Sequence, residues 1–317
     1  MRRQALLLNA AEVARLLDTE QLLDVLAKGF ETITDETAIS PPRGEMAIGD
    51  AGHLLTMPAA VPGLPFGTKL VTLFPGNAAA GIPTHLGLII LMDSVTGEVL
   101  ALMDGAHITA MRTAGAATLA AKLLARPDSR AMTILGAGVQ GQAHLDLMSR
   151  HFDIETIYVG SHGAESAQRL AARDPRAIAI EDHEAAVRAS DIVCLCSHAE
   201  HPLIHMDWLC PGQHISSVGY APPCGELDPA IAARHRLVVE ARIAFAPAPA
   251  GCAELAGIDP AWGTELGEIL LGRKPGRESI DEVTVYKAMG HAVEDLVVAD
   301  MVYRRAIALS AGQSITL

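Results

Sequence analysis

Residues 131–148 read AMTILGAGVQGQAHLDLM, and the order of residue types in that stretch decides the fold. A short apolar run, Met132 to Leu135, stops at Gly136, and Gly136, Gly138 and Gly141 then space out a complete G-x-G-x-x-G. Ala143, Leu145, Leu147 and Met148 follow as the apolar faces of a helix. Strand, glycine turn and helix in that order are the setting in which this motif means dinucleotide binding rather than a surface turn. Gly136 permits the tight turn, Gly138 lets a pyrophosphate approach the backbone, and Gly141 lets helix and strand pack closely. The helix start then presents N–H groups and a positive dipole end to the phosphates.

Downstream of this stretch, strand and helix alternate. Candidate strands fall at residues 156–159, 178–180, 191–196, 214–218 and 237–239, with helical patterns between most of them. That rhythm specifies a doubly wound parallel sheet with right-handed crossovers, an α/β architecture. Residues 265–271 read as a helix, GRKPGRES (272–279) as a solvated loop, and residues 279–310 as holding one long final helix. Upstream the rhythm differs. Asn9 or Asp18 can cap an early helix whose buried face is Leu22, Val25, Leu26 and Phe30. A proline-bearing loop (40–47) precedes four strand-like pieces at 53–57, 67–74, 85–93 and 98–103, divided by turn signals, which reads as an antiparallel sheet. Residues 109–124 then form an Ala-rich helix suited to joining two domains.

Composition narrows the partners. At 317 residues the chain fits two domains. Half the residues are hydrophobic but only 3% aromatic, so the core must be built from Ala, Val, Leu and Ile, as buried parallel strands require. A formal net charge of −13 argues against nucleic acid or an anionic membrane as partner, and any anionic ligand must be held by a few local cations. Five scattered cysteines, with no C-x-x-C pair, fit reduced thiols in a cytoplasmic protein, and no structural metal is expected. The start, MRRQALLLNAAEVARLL, resembles a secretory signal, but its apolar run is short and Glu12 and Arg15 interrupt it, so a strand and an amphipathic helix are expected instead.

The cations worth following lie upstream of the glycine motif. Arg43 stands in the proline-bearing loop, Lys69 sits inside the apolar strand GTKLVTLFP, and Arg112 lies on the Ala-rich helix. A lysine among Leu70, Val71 and Leu73 either faces water on an alternating strand or points into a ligand cavity. Lys and Arg are rarely buried unless paired, and an anionic ligand group is the economical partner for both. Cys194 and Cys196 alternate along a buried strand as packing residues, and His85 and His107 read more simply as core or interface histidines.

Six stretches together, SPPRGEM (40–46), TMPAA (56–60), GTKLVTLFPGN (67–77), the long run from Gly81 to Ala117 containing ITAMRTAGAA, ILGAGVQG (134–141) and YKAMGHAVEDLVVAD (286–300), resemble the ornithine cyclodeaminase/mu-crystallin family in register over nearly the whole chain. The resemblance implies a Rossmann domain at 116–289 inserted into a discontinuous α+β substrate-binding and dimerisation domain, 1–115 with 290–317. It implies a homodimer. Arg43, Lys69 and Arg112 match the positions that hold the substrate carboxylate. Thr84, Arg112 and Thr113 match positions near the cofactor and the active cleft. Gly136, Gly138, Val139, Gln140 and Gly141 match the phosphate-binding turn. Glu294 and Asp295 fall in the last family stretch, where they can orient neighbouring cations without being catalytic.

Two departures guide the choice of reaction. The cyclodeaminase branch places an acidic residue just before its Met-Pro pair, whereas this chain reads His53-Leu54-Leu55-Thr56-Met57-Pro58. That branch also places an aspartate just after a Val-Gly, where this chain has Tyr220 and Ala221; Asp228 before Pro229 reads as a helix N-cap. Cyclodeamination needs a positioned acid and base, while reduction of a preformed cyclic imine needs mainly an oriented carboxylate and a hydride donor. The expected activity is therefore NAD(P)H-dependent reduction of a small ketimine acid of the Δ1-pyrroline-2-carboxylate type, with Lys69 able to relay a proton. Ornithine cyclodeamination, an alanine-type dehydrogenase and a crystallin-like binding protein are the alternatives. At the end of the second parallel strand, where a carboxylate would select NAD, stand Ser161 and His162, which favours NADP(H) with use of both expected.

Overall fold

The computed structural model describes residues 4–317; Met1, Arg2 and Arg3, the charged start of the signal-like stretch, lie outside the described residues. The chain divides into two units, residues 1–112 with 291–317, and residues 113–290.

In the first unit β1 (Gln4–Leu8) leads to α1 (Ala10–Leu16) and α2 (Thr19–Thr34). Asn9 caps α1 through a capping box with Glu12, and the Asp18 side chain accepts from the Glu20 amide to cap α2, so both candidate caps are used. Five strands follow: β2 (Gly44–Ile48), β3 (Gly52–Ala59), β4 (Phe66–Leu73), β5 (His85–Met92) and β6 (Val99–Asp104). Residues 40–47, which read as a loop, are so only in their first half. The second half is the edge strand β2, fully exposed and therefore without the buried alternation that marks a strand in sequence. Helix α3 (Ala106–Leu124) comes next, and the division between the units falls within it.

The second unit runs β7 (Ala131–Leu135), α4 (Val139–His151), β8 (Thr156–Gly160), α5 (Ala164–Ala171), β9 (Ala177–Ala179), α6 (His183–Arg188), β10 (Ile192–Leu195), β11 (His214–Ser217), α7 (Pro229–Arg234), β12 (Arg236–Val239), β13 (Thr264–Glu265), α8 (Leu266–Leu270) and β14 (Thr284–Lys287). Its eight strands pair in the order β13-β12-β14-β11-β10-β7-β8-β9, all parallel. From β7 the chain winds to β8 and β9 on one side, then returns to β10 on the other, so the switch point lies between β7 and β10. Asp228 caps α7 with Pro229 at its first turn, as its spacing implied.

Two segments depart from their sequence-based expectation. Residues 279–310 do not hold only a helix, because β14 occupies Thr284–Lys287, fully buried between β11 and β12. Four residues are too few to display a period of their own, and their apolar side chains merge with the helical pattern that follows. The GRKPGRES segment is not merely solvated: Arg277 donates to the carbonyls of Leu124, Gly212 and Gln213 and so ties the amino ends of the sheet together.

The chain then re-enters the first unit with α9 (Ala292–Ala308) and β15 (Gln313–Thr316). That unit's sheet runs β15-β1-β6-β5-β4-β3-β2, antiparallel except where β1 meets β6. Register sets which residues share a face. Met57, Lys69, Ile89 and Met103 lie directly opposite one another across four strands, on the face against which α9 packs. Among the described residues no helix is long and apolar enough to cross a membrane.

Candidate functional site

Lys69 is where the alternation of β4 turns a charge inward. It is 3% exposed, and its ammonium reaches the Asp295 carboxylate at 2.6 Å and the Thr109 hydroxyl at 3.3 Å. Arg112, 5% exposed on α3, donates from Nε to the other Asp295 oxygen at 3.0 Å, and its Nη1 lies 3.4 Å from Glu294. Both carboxylates sit in the first turn of α9, where the helix dipole favours negative charge, and Glu294 also receives the His291 amide at 2.7 Å. The expectation that both cations pair with a ligand is thus amended. Their partner inside the protein is Asp295, and Glu294 and Asp295 orient the cations from one helix end.

Arg43 joins the same face by register. Gly44 pairs with Thr56, so the residue before it falls opposite Met57 and in the row of Lys69. Three cations from three segments therefore share this face with the two carboxylates of α9, and these five groups sum formally to one positive charge. Burial pulls the Lys69 amine down to about 8; the Asp295 charge opposes that fall, and Arg112 and Arg43 add to it. Burial works to raise the Asp295 carboxyl, but the two cations outweigh it and hold it below its usual range. A group of this kind, cationic at neutral pH yet able to release a proton, can grip a carboxylate and exchange a proton with a neighbouring nitrogen. Thr84 is not part of the cluster. It precedes the first residue of β5, and its hydroxyl contacts His85 Nδ1 at 3.1 Å.

One further carboxylate reaches this face from the neighbouring strand. Glu45, two residues after Arg43, has a carboxylate oxygen 2.7 Å from His53 Nδ1, so a carboxylate from β2 stands beside the segment His53–Pro58.

In the second unit the glycine turn has the shape its spacing implied. Gly136 has φ +119°, and a Cβ there would come within 2.4 Å of the Cys196 carbonyl oxygen. A Cβ on Gly141 would come within 1.9 Å of the Gly136 carbonyl, so the turn folds back on its own helix. Gly138 is the N-cap of α4 with no side-chain cap, and a Cβ there would meet nothing within 4 Å. The amides of Val139, Gln140 and Gly141 thus open α4 with no intrahelical acceptor, and Val139 is 66% exposed beside them. A backbone cradle that a side chain would fill, at a helix start beside a switch point, fits a pyrophosphate. Thr113, nearly fully buried on α3, belongs to this unit.

At the end of β8, Ser161 and His162 follow Gly160 with no carboxylate. No local motif marked His183, whose imidazole packs so close to Gly160 that a Cβ there would lie 2.8 Å from Nε2. Glu226, Glu254 and Lys287 also went unmarked, and they are buried at the carboxyl ends of the strands. The available signal was a lysine at the end of the apolar run Val285-Tyr286, the same pattern that drew attention to Lys69. Burial pushes the Cys194 thiol up to about 12, with the Glu226 charge adding to it, as befits a packing residue.

A doubly wound dinucleotide fold inserted into a second, mostly antiparallel unit with an internal cation cluster defines a two-unit Rossmann-type protein. The sequence profile of the ornithine cyclodeaminase/mu-crystallin family matches residues 3–310, and the chain belongs to that family. It is 33% identical over 311 residues to the ketimine reductase mu-crystallin of Mus musculus, covering 96% of this chain and 98% of that protein. Among solved structures it is similar to the Δ1-pyrroline-2-carboxylate reductase of Thermococcus litoralis in complex with NADH and L-proline, at 30% identity and a TM-score of 0.91, covering 98% of this chain and 100% of that one. An archaeal alanine dehydrogenase dimer with bound NAD is also similar, at 29% identity and a TM-score of 0.90, covering 99% of each chain.

Proposed function

We propose that this NAD(P)-dependent enzyme reduces a small ketimine acid of the Δ1-pyrroline-2-carboxylate type to the corresponding amino acid. The observation that carries the reading is the buried Lys69–Asp295–Arg112 cluster with Arg43 on the same face, which together with Glu294 sums to one positive charge. Arg112 is fixed by Asp295 and Glu294 and presents a preset guanidinium, so it grips a carboxylate with little ordering cost. Arg43 adds charge from the edge of the sheet. Lys69 holds a proton at Nζ, where Asp295 steadies the charge and burial loosens it. The nicotinamide group, when bound, supplies a hydride. Gly136, Gly138, Val139, Gln140 and Gly141 would hold its pyrophosphate by backbone amides, with Thr84, Arg112 and Thr113 as further cofactor contacts. Ser161 and His162 support NADP(H) over NAD(H), since both can donate to a 2′-phosphate where a carboxylate would repel it.

A homodimer is part of the same proposal. On the sheet face opposite Lys69, register runs Met46, Leu54, Thr72 and Leu86 in one row and Thr56, Leu70 and Leu88 in the next; Met46, Leu86 and Leu88 are exposed, as is Leu7 on β1. Exposed leucines and a methionine on one sheet face support an interface, and a second copy is the occupant supported by the dimeric alanine dehydrogenase. Light scattering should give twice the chain mass, and a monomer would remove this part.

The substrate is tested by following the nicotinamide absorbance with Δ1-pyrroline-2-carboxylate, with alanine, and with pyruvate plus ammonia, and by measuring ammonia released from ornithine. Oxidation of NADPH or NADH by the cyclic imine is the expected result. The Glu45–His53 pair favours ornithine cyclodeamination as the second reading, because a carboxylate on the Lys69 face can receive a distal amine. Proline and ammonia from ornithine would put that reading first. Silence with every compound would leave a ligand-binding protein of the crystallin kind.

A further inference from the structure

The carboxyl ends of β10, β11 and β14 converge on three buried charges that the proposed reaction does not use. Glu226 is fully buried, and each of its oxygens accepts two hydrogen bonds. Oε2 receives the Ser197 amide and the Ser197 hydroxyl, both at 2.7 Å. Oε1 receives the Gly219 amide at 2.7 Å and the Ser217 hydroxyl at 3.0 Å. Four donors fill the four acceptor sites of the carboxylate, so Glu226 has no site left for a ligand. Lys287, also fully buried, donates to the Ser217 hydroxyl at 3.1 Å and the Gly219 carbonyl at 2.7 Å, and pairs with Glu254 at 2.6 Å. Glu254 in turn receives the Leu227 amide at 2.9 Å.

The two loops so joined touch directly. A Cβ on Gly219 would come within 2.0 Å of the Ser197 carbonyl oxygen, so only glycine lets the backbones meet above Glu226. Their place in the sheet says which part of the cofactor they serve. The glycine turn after β7 takes the pyrophosphate, and the end of the next strand on the β8 side takes the adenosine ribose. The other half of a dinucleotide must then cross the switch point toward β10 and β11. The Cys196 carbonyl, against which Gly136 packs, is the first backbone group on that path, and Ser197 is the next residue.

We propose that Glu226, backed by Lys287 and Glu254, is a positioning residue for the nicotinamide half of the cofactor, holding the loops after β10 and β11 in the one arrangement that seats the ring. This rests on the proposed nicotinamide chemistry. A bare aliphatic core could stabilise these strand ends equally well, since burying ions is costly. What it could not do is fix two separate loop backbones by directional bonds at the place where the ring must be held still for hydride transfer.

The test compares wild type with Glu226→Gln and with the milder Ser217→Ala, which removes one donor to Glu226 and one acceptor of Lys287. The glutamine substitution is not used alone, because its single amide oxygen cannot serve both loop amides and the fold itself can loosen. Binding is measured separately for NADH, by its fluorescence, and for ADP-ribose, which lacks the nicotinamide, with kcat and KM taken on the active imine. Both variants should bind ADP-ribose as wild type does and lose kcat more than imine KM rises, and the glutamine variant should bind NADH at least about tenfold more weakly. Equal loss of ADP-ribose and NADH affinity would reduce Glu226 to a purely structural role and overturn the inference, as would unchanged NADH binding and turnover in both variants. Wild type that binds neither NADH nor NADPH would instead overturn the proposed function.

Discussion

Each unit buries a charge cluster, and the two are built to different ends. Around Lys69 three cations share a face with the two carboxylates of α9, and those five groups carry a positive excess in a protein whose net charge is −13. Around Glu226 one ammonium meets two carboxylates; backbone amides and hydroxyls fill all four acceptor sites of Glu226, while Glu254 holds Lys287 and one amide. The first is oversupplied with cations and gains from one more anion. The second is closed at Glu226, where every acceptor site is taken by the protein's own donors. A cluster left out of balance points to binding and chemistry; one completed by loop amides points to holding backbone in place.

The largest effect expected from breaking this contrast is at Lys69. Lys69→Ala should lower kcat on the imine by roughly 10²–10⁴-fold while NADH titration stays close to wild type. Turnover within a few-fold of wild type would end the proton-relay role. It also leaves Asp295 buried with one partner fewer, so a stability loss on the order of 3–5 kcal/mol by urea unfolding should accompany it. Next comes Gly141→Ala, whose Cβ must displace the Gly136 carbonyl lying 1.9 Å away. NADH affinity should fall on the order of tenfold to a hundredfold, with imine KM at saturating cofactor nearly unchanged.

The pH profile sharpens the comparison from the other side. Lys69 must be protonated to hold a carboxylate, and its amine is pulled down to about 8, so kcat/KM should be level below that pH and fall above it. Asp295 holds the proton on Lys69, so Asp295→Asn should move the fall to lower pH by roughly one unit. An alkaline limb that does not move would assign it to another group. The smallest effect is expected at Ser161. Ser161→Asp places a carboxylate at the end of β8 and should shift the NADPH-to-NADH preference toward NADH by about tenfold, read from the two dissociation constants.

The sequence disclosed much of this because the relevant signals were local. Turn, strand and helix around Gly136 follow from residue types within one short stretch, and the caps at Asn9, Asp18 and Asp228 follow from their immediate neighbours. Lys69 was legible for a related reason: a charge inside an apolar strand breaks the alternation that its neighbours set. Strands β2 and β14 were not, one because no face of it is buried and the other because four residues show no period.

By itself, then, the sequence determined the dinucleotide turn, the alternating layers behind it and the identity of the cations. Only the tertiary structure decided what those cations meet. Asp295 lies 183 positions beyond Arg112 in the chain, and the hydrogen bonds of Glu226 come from residues 29, 9 and 7 positions away, past the end of β10 and at and past the end of β11. Pairings across such separations leave no periodic trace, because they are set by strand register and by the winding of the sheet rather than by any neighbouring residue.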